Sequence, residues 1–463
     1  MTQNRAIRVV ATGARLLVGA VIAVGCVVGV TAAVALPWPG IENQPAQVSV
    51  TPTAGDTTLV CTGDFRAIGR NSQSAGQMSS TGQVSLTTET GAASEESTLT
   101  ASDLLTADFS GPAAGPLKIV ANAERGSAAR VGAAESITLD ADDLSGLAAS
   151  ACREPSTESW LIGGTVETGT SDLIILSNPG DVTATATITV FGIEQSSTKT
   201  IVPAGTQVAV PLSSVAAGLQ EPVVRVTAAG APLRAVLQSS LIRTLDPSGI
   251  DVQDTAGAPR TDLAFAGVQV LTESADSAVT VLRMVATDQA VQATVTIRSD
   301  DDAEPQTLAV PLEAGTPTEV SLEGLEPGVY SVEVEAEAPV VGAVRQVTGI
   351  GPGADFAWMT PAPELSGDIV FAVPEGPRPR LHLVNSADVD AAVTLAPAAG
   401  GEGEQLTVPA HGSLVVDVAQ DAAYSLATDA PVHAAVAMAG TDAMAGWPIW
   451  PGAAAEDAVT VYP

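Results

Sequence analysis

The stretch LIILSNPGD, Leu173 to Asp181, decides the fold, because the chain returns to it as LRMVATD (Leu282 to Asp288) and as LHLVNSAD (Leu381 to Asp388). Each copy stands near the head of a block about a hundred residues long. In the first block the apolar segments are WLIGG, DLIILSN, ATATITVFG, KTIVPAG, QVAVPL, PVVRVTA and PLRAVLQS, between Trp160 and Ser239. They are short, rich in β-branched residues and separated by Gly, Pro, Asn or Asp, which is the pattern of strands between turns. Seven such strands in about a hundred residues suit an immunoglobulin-like β-sandwich.

Three further elements recur in the same order. Ala186 to Ile188 is answered by Val295 to Ile297 and Val393 to Leu395; the tip at Val202 to Gly205 by VPLEAG from Val310 and VPAHG from Val408. Pro and Gly at such a tip remove a ladder donor and permit positive φ. Each block then passes through Ala-Pro, at Ala231 and Pro232, Ala338 and Pro339, Ala430 and Pro431. The expected fold is all-β: tandem immunoglobulin-like β-sandwich domains after one N-terminal transmembrane helix. Its parts are an N-terminal β domain over 47–157 and sandwich repeats over 158–258, 259–364 and 365–463. The segments from Gly249, from Gly353 and from Ala443 occupy matching places between or after the blocks, so each is expected to pack on a sandwich and stiffen a stalk. In the first domain, DDLSGLAASAC (Asp142 to Cys152) reads as a helical turn.

Upstream, Arg5, Arg8 and Arg15 precede an uncharged run from Leu16 to Leu36, enough for about 30 Å of hydrocarbon. Residues 1–15 then read as a cytoplasmic tail, 16–36 as a signal anchor and 37–46 as a Pro-rich linker, with the bulk of the chain extracytoplasmic. This single-pass placement in the cell membrane is preferred over a cleavable signal peptide ending at Ala33-Val34-Ala35 and over a lipoprotein box at Cys26.

Lys and Arg number 19 against 52 Asp and Glu, a formal charge of −33. Such a surface repels phosphate backbones, so nucleic acid is excluded as a partner. Asp300, Asp301, Asp302 and Glu304 lack the spacing and central Gly of an EF-hand loop and read as a solvated hairpin tip. Cys61 and Cys152 read as a disulfide closing the first domain.

Catalytic motifs are missing. The three histidines, His382, His411 and His433, have no metal-site spacing, and no nucleophile elbow or phosphate loop occurs. The chain is therefore read as non-enzymatic, with no metal and no cofactor. Trp447 and Trp450 in GWPIWPG are the candidate ligand-binding residues, since two indoles held by prolines offer rigid stacking surfaces; the competing reading has them covering the end of the last sandwich.

The basic start with its apolar span, Cys152 followed by Trp160-Leu-Ile-Gly-Gly, the LIILSNP strand, VPAG and the Ala-Pro strand together resemble a family of large secreted or anchored actinobacterial proteins of unassigned function. The resemblance implies a cell-envelope address and carries over no catalytic or binding residue. The functional expectation is a binding or scaffolding protein of the cell envelope, with envelope glycans or membrane proteins as partners. The alternatives are a glycan-binding protein using the Trp pair and a cell-wall polymer hydrolase with unrecognised carboxylates.

Overall fold

The structure is a computed structural model that describes residues 17–31, 48–50, 55–69, 77–92, 98–106, 115–123, 127–271, 280–300, 304–322, 324–452 and 459–461. Two compact units divide the chain, Met1–Pro52 with Asp457–Pro463, and Thr53–Glu456. In the first, Val48–Val50 pairs antiparallel with Val459–Val461, and residues 17–31 form a helix.

That helix corrects the expected membrane anchor. At about 1.5 Å per residue it reaches about 22 Å, short of the ~30 Å hydrocarbon layer. Among the described residues no helix is long and apolar enough to cross a membrane. The single-pass placement, with its cytoplasmic N-terminus and extracytoplasmic bulk, is therefore not supported. The basic tail, the small-residue site at Ala33 to Ala35, the linker 37–46 and Asp301 and Asp302 lie outside the described residues.

The unit Thr53–Glu456 is built from four β modules. In the second, one layer runs Glu158–Leu161, Val223–Ala229, Ala184–Phe191, Ser196–Val202, and the other Thr206–Pro211, Leu173–Asn178, Arg234–Arg243, Asp246–Gln253. The sequence dictates these faces by simple alternation: Ala184, Ala186, Ile188 and Val190 are buried between the layers together with Ile174, Leu176 and Leu237. Each Leu or Ile so buried contributes about 1.5–3 kcal/mol.

The third and fourth modules keep this order with one change. Gly328–Val347 and Ala422–Ala439 are single long strands that pass from one layer into the other. The second module breaks the same path at Gly230 to Leu233, leaving two strands. The Ala-Pro pairs thus mark the crossing between layers. The first module has three-stranded layers of the same kind, Thr57–Val60, Leu117–Ala121, Leu99–Asp103 and Ser85–Thr90, Val131–Asp140, Ser145–Ala151, and the Cys61–Cys152 disulfide links residues just beyond Thr57–Val60 and Ser145–Ala151.

Asn178 and Asn385 end equivalent strands and make the same bonds. The Asn178 amide donates to the carbonyls of Val182 and Val202, and its oxygen accepts the Gly180 amide; Asn385 does the same with Val389, Val408 and Ala387. Each satisfies three backbone groups where strands run into their turns.

The expected stalk does not form within this unit. Module packs on module through the outward face of the strand that holds the recurring motif. Ile175 packs against Phe65, Ile137 and Leu139 of the first module; Arg283 donates to the Ile162, Gly164 and Pro222 carbonyls of the second; His382 lies against Gly267 of the third. The first module then closes on the fourth: Ala134, Leu147 and Ala149 join the core of Phe371, Leu426 and Trp447, Arg130 pairs with Asp368, and the Ala92 amide donates to Ala398 at 2.8 Å. A chain of modules whose last meets its first is a closed body.

Candidate functional site

The closure brings four inner strands together. Ser145–Ala151 touches Asp246–Gln253 and Met444–Pro448, and Phe356–Met359 touches the same two. The helical turn expected at Asp142 to Cys152 is one of these strands, because Leu147, Ala148 and Ala149 are buried on both faces, a demand that an extended run of small residues meets. The segments read as packed connectors supply the other three.

Asp355 sits where they meet. Its carboxylate accepts the Leu147 amide at 2.9 Å, the Ile250 amide at 3.1 Å and the Met444 amide at 2.8 Å, one from each of the other modules. The Phe356 amide of its own module is a fourth donor. Gly146, Gly249 and Ala443 stand one residue before their donors, as Asp355 stands before Phe356. Only one carboxylate fits: a Cβ on Gly249 would lie 2.7 Å from Asp355 Oδ1, and one on Gly146 would strike the same oxygen. Burial pushes the Asp355 carboxyl up to about 7, against the downward pull of the amides.

Other buried charges also stitch modules. Asp254 of the second module receives Arg153 of the first at 3.0 Å and Arg234 at 2.7 Å, and the Asp251 carboxylate accepts the Trp358 amide of the third at 2.9 Å. Glu135 holds the Thr62 and Gly63 amides beside the disulfide. The three ligand atoms of Cys61, Cys152 and Glu135 lie close enough for a metal, but both sulfurs are spent in the disulfide.

Charged side chains face open space together in a cleft of about 310 Å³ between the second and third modules. Asp172, Glu221, Glu319, Arg243, Arg283 and Arg345 line it, with Phe356 and Trp358 behind. Register explains the grouping: Arg283 is opposite Glu319 and Arg345 is opposite Trp358, so these side chains share a face. Arg283 is neutralised by Glu319, at 2.9 Å from Nε and 2.7 Å from Nη2. Asp172 accepts the Thr165 amide at 2.6 Å, and burial raises its carboxyl to about 6. Glu221 is raised as well, first by burial and then by repulsion from Glu319.

The Trp pair is differently placed. Trp447 is only 2% exposed and packs in the core of the fourth module, at the inner wall of a cavity of about 330 Å³ that Trp450 also lines. Trp450 is half-buried, with the Arg153 guanidinium 3.5 Å from its ring centroid and with Gly257 close against its edge. It joins the first, second and fourth modules. The histidines do not converge in one set of ligands: His411 bonds Asp388 at 2.8 Å at a hairpin tip, His433 bonds the Ala362 carbonyl at 2.9 Å, and His382 is buried with neither ring nitrogen partnered. Sequence reasoning passed over Asp355 and the cleft arginines; the Gly-Gly-Asp-Ala series at the heads of the inner strands was the available signal.

A family model described as a family of unknown function (DUF5719) matches residues 106–427. No curated protein matches the chain. Among solved structures, the FN1-FN3 domains of chicken CNTN1 align at 13% identity over 63% of this chain and 98% of that one, with a TM-score of 0.11.

Proposed function

Since the chain belongs to the DUF5719 family of unknown function, we propose from its architecture that it is a non-enzymatic scaffold that binds partner proteins along the outer edges of its sandwiches. One observation carries this reading. The buried carboxylates Asp355, Asp251 and Asp254 are all committed to contacts between modules, so the polar interior serves to hold a body of fixed shape. Edge strands face away from those joints. Ser196–Val202, Gln306–Leu312 and Glu404–Val408 are each last in their layer and largely exposed. Ile201 (66%) and Leu308 (36%) lie open on them. An extended segment of a partner adds to such an edge through main-chain bonds, with exposed apolar side chains giving selectivity.

The test immobilises the full chain, identifies the proteins retained, and titrates each purified partner against the wild type and an Ile201→Glu, Leu308→Glu variant. The reading expects the variant to lose at least about tenfold in affinity with its unfolding midpoint unchanged. Unchanged affinity, or turnover of a retained polymer that Asp172→Asn abolishes, overturns it in favour of another surface or of hydrolysis.

A further inference from the structure

The cleft between the second and third modules holds two guanidinium groups whose donors the protein itself does not engage. Among the described residues, neither Arg243 nor Arg345 has a side-chain hydrogen bond or an ion pair, whereas Arg283 beside them is fully engaged by Glu319 and three carbonyls. Arg345 is half-buried and lies 5.5 Å from the Phe356 ring centroid, on a strand held between Val281 and Trp358. Its guanidinium thus lies beside an apolar wall. Arg243 reaches the same cleft from the second module, next to Thr244, whose φ of 62° turns the hairpin there. Burial and the nearby Arg243 charge both weigh against the Arg345 proton, bringing it down to about 10, still charged at neutral pH.

We propose that this cleft binds a carboxylate-bearing ligand, with Arg345 and Arg243 gripping the carboxylate. Guanidiniums with free donors lining one cleft match the planar geometry of a carboxylate, which accepts paired N–H bonds. The acids around them set the charge limit. Glu167, Asp172, Glu221 and Glu319 share the cleft in a chain of net charge −33, so a singly charged carboxylate is tolerated better than a doubly charged phosphate. The volume of about 310 Å³ admits a small organic acid or the last residues of a peptide; both present the same group. This site is independent of the outer edges proposed for protein partners.

Calorimetric titration of the full chain tests it with four probes: acetate, N-acetyl-tri-alanine, the C-terminal amide of that peptide, and inorganic phosphate. Saturable binding of acetate or of the peptide acid is expected. Amidation, Arg345→Gln and Arg243→Gln should each weaken it at least about tenfold, the loss of one charge-assisted contact. Arg298→Gln, which removes a distant pair with Glu333, should leave it unchanged. Tighter binding of the peptide than of acetate identifies a peptide terminus as the source, and equal binding a free acid. Arg243 is exposed, so its variant carries the test if Arg345→Gln does not fold. Absence of saturable carboxylate binding, binding of phosphate alone, or affinity indifferent to both arginines overturns the proposal.

Discussion

The carboxylate of Asp355 accepts the amide of Leu147 at 2.9 Å across 208 residues of chain. The same group holds Ile250 and Met444, so one side chain joins all four modules. Removing it leaves buried donors without acceptors, each costing about 1–3 kcal/mol. Asp355→Ala is therefore expected to lower the unfolding free energy by several kcal/mol, read as a fall in urea midpoint. Asp355→Asn should not restore it, because Oδ2 serves Leu147 and Met444 while Oδ1 serves Ile250, and an amide nitrogen at either place opposes a donor. Full stability of the Asn variant would contradict the arrangement.

Acid has opposing effects on this body. Asp355 and Asp172 are raised in the fold to about 7 and about 6 from 3.8, so the native state takes up protons first. The stability they contribute is complete below about pH 4 and is lost as pH rises through 6 to 7. His382 works the other way. Burial lowers it from 6.5 to about 4, so its contribution is present above pH 6.5 and is lost as pH falls toward 4. Arg380 on its own strand adds to the lowering. His382→Leu should accordingly gain more stability over the wild type at pH 5 than at pH 8, measured by urea midpoints at both. An equal shift at the two pH values would show that His382 titrates as it does in the unfolded chain.

Gly267 faces that imidazole with φ of +78°, and a Cβ there would strike the ring. Gly267→Ala should cost on the order of 2 kcal/mol or more through strain and overpacking. Adding His382→Ala should recover the steric part. A double-mutant cycle measures the coupling; additive costs would mean that the two residues do not touch.

The disulfide joins positions 91 residues apart. Chain entropy assigns a loop of that size about 4–5 kcal/mol. Replacing Cys61 and Cys152 by Ser should lower the unfolding midpoint accordingly, and the loss should be matched by adding reductant to the wild type. A wild type insensitive to reductant under conditions that reduce the bond would contradict it.

The strands were legible in the sequence because their signal is local. Ala184 to Val190 alternates visibly, and Pro203 with Gly205 marks a tip without reference to anything distant. The Cys pair was legible for a similar reason, as two of only three cysteines. What joins the modules was not. Ile175, Arg283 and His382 sit at mid-strand, and nothing in the local pattern marks them as facing the neighbouring module. Asp355 lies in a segment that reads as a connector, and its role depends on amides contributed from about 90 to 208 residues away. Backbone donors leave no mark on residue identity. Trp447 was legible only in part: the prolines after each indole suit either display or a cover over the sandwich end, and its neighbours across the strand place it in the core.

Amide hydrogen exchange of Leu147, Ile250 and Met444 in the wild type and in Asp355→Ala tests the closure most directly. The account predicts that all three amides, far apart in sequence, are strongly protected in the wild type and lose protection together in the variant. Loss confined to the neighbours of residue 355, with Leu147 and Met444 still protected, would contradict it and show that the modules close without the central carboxylate.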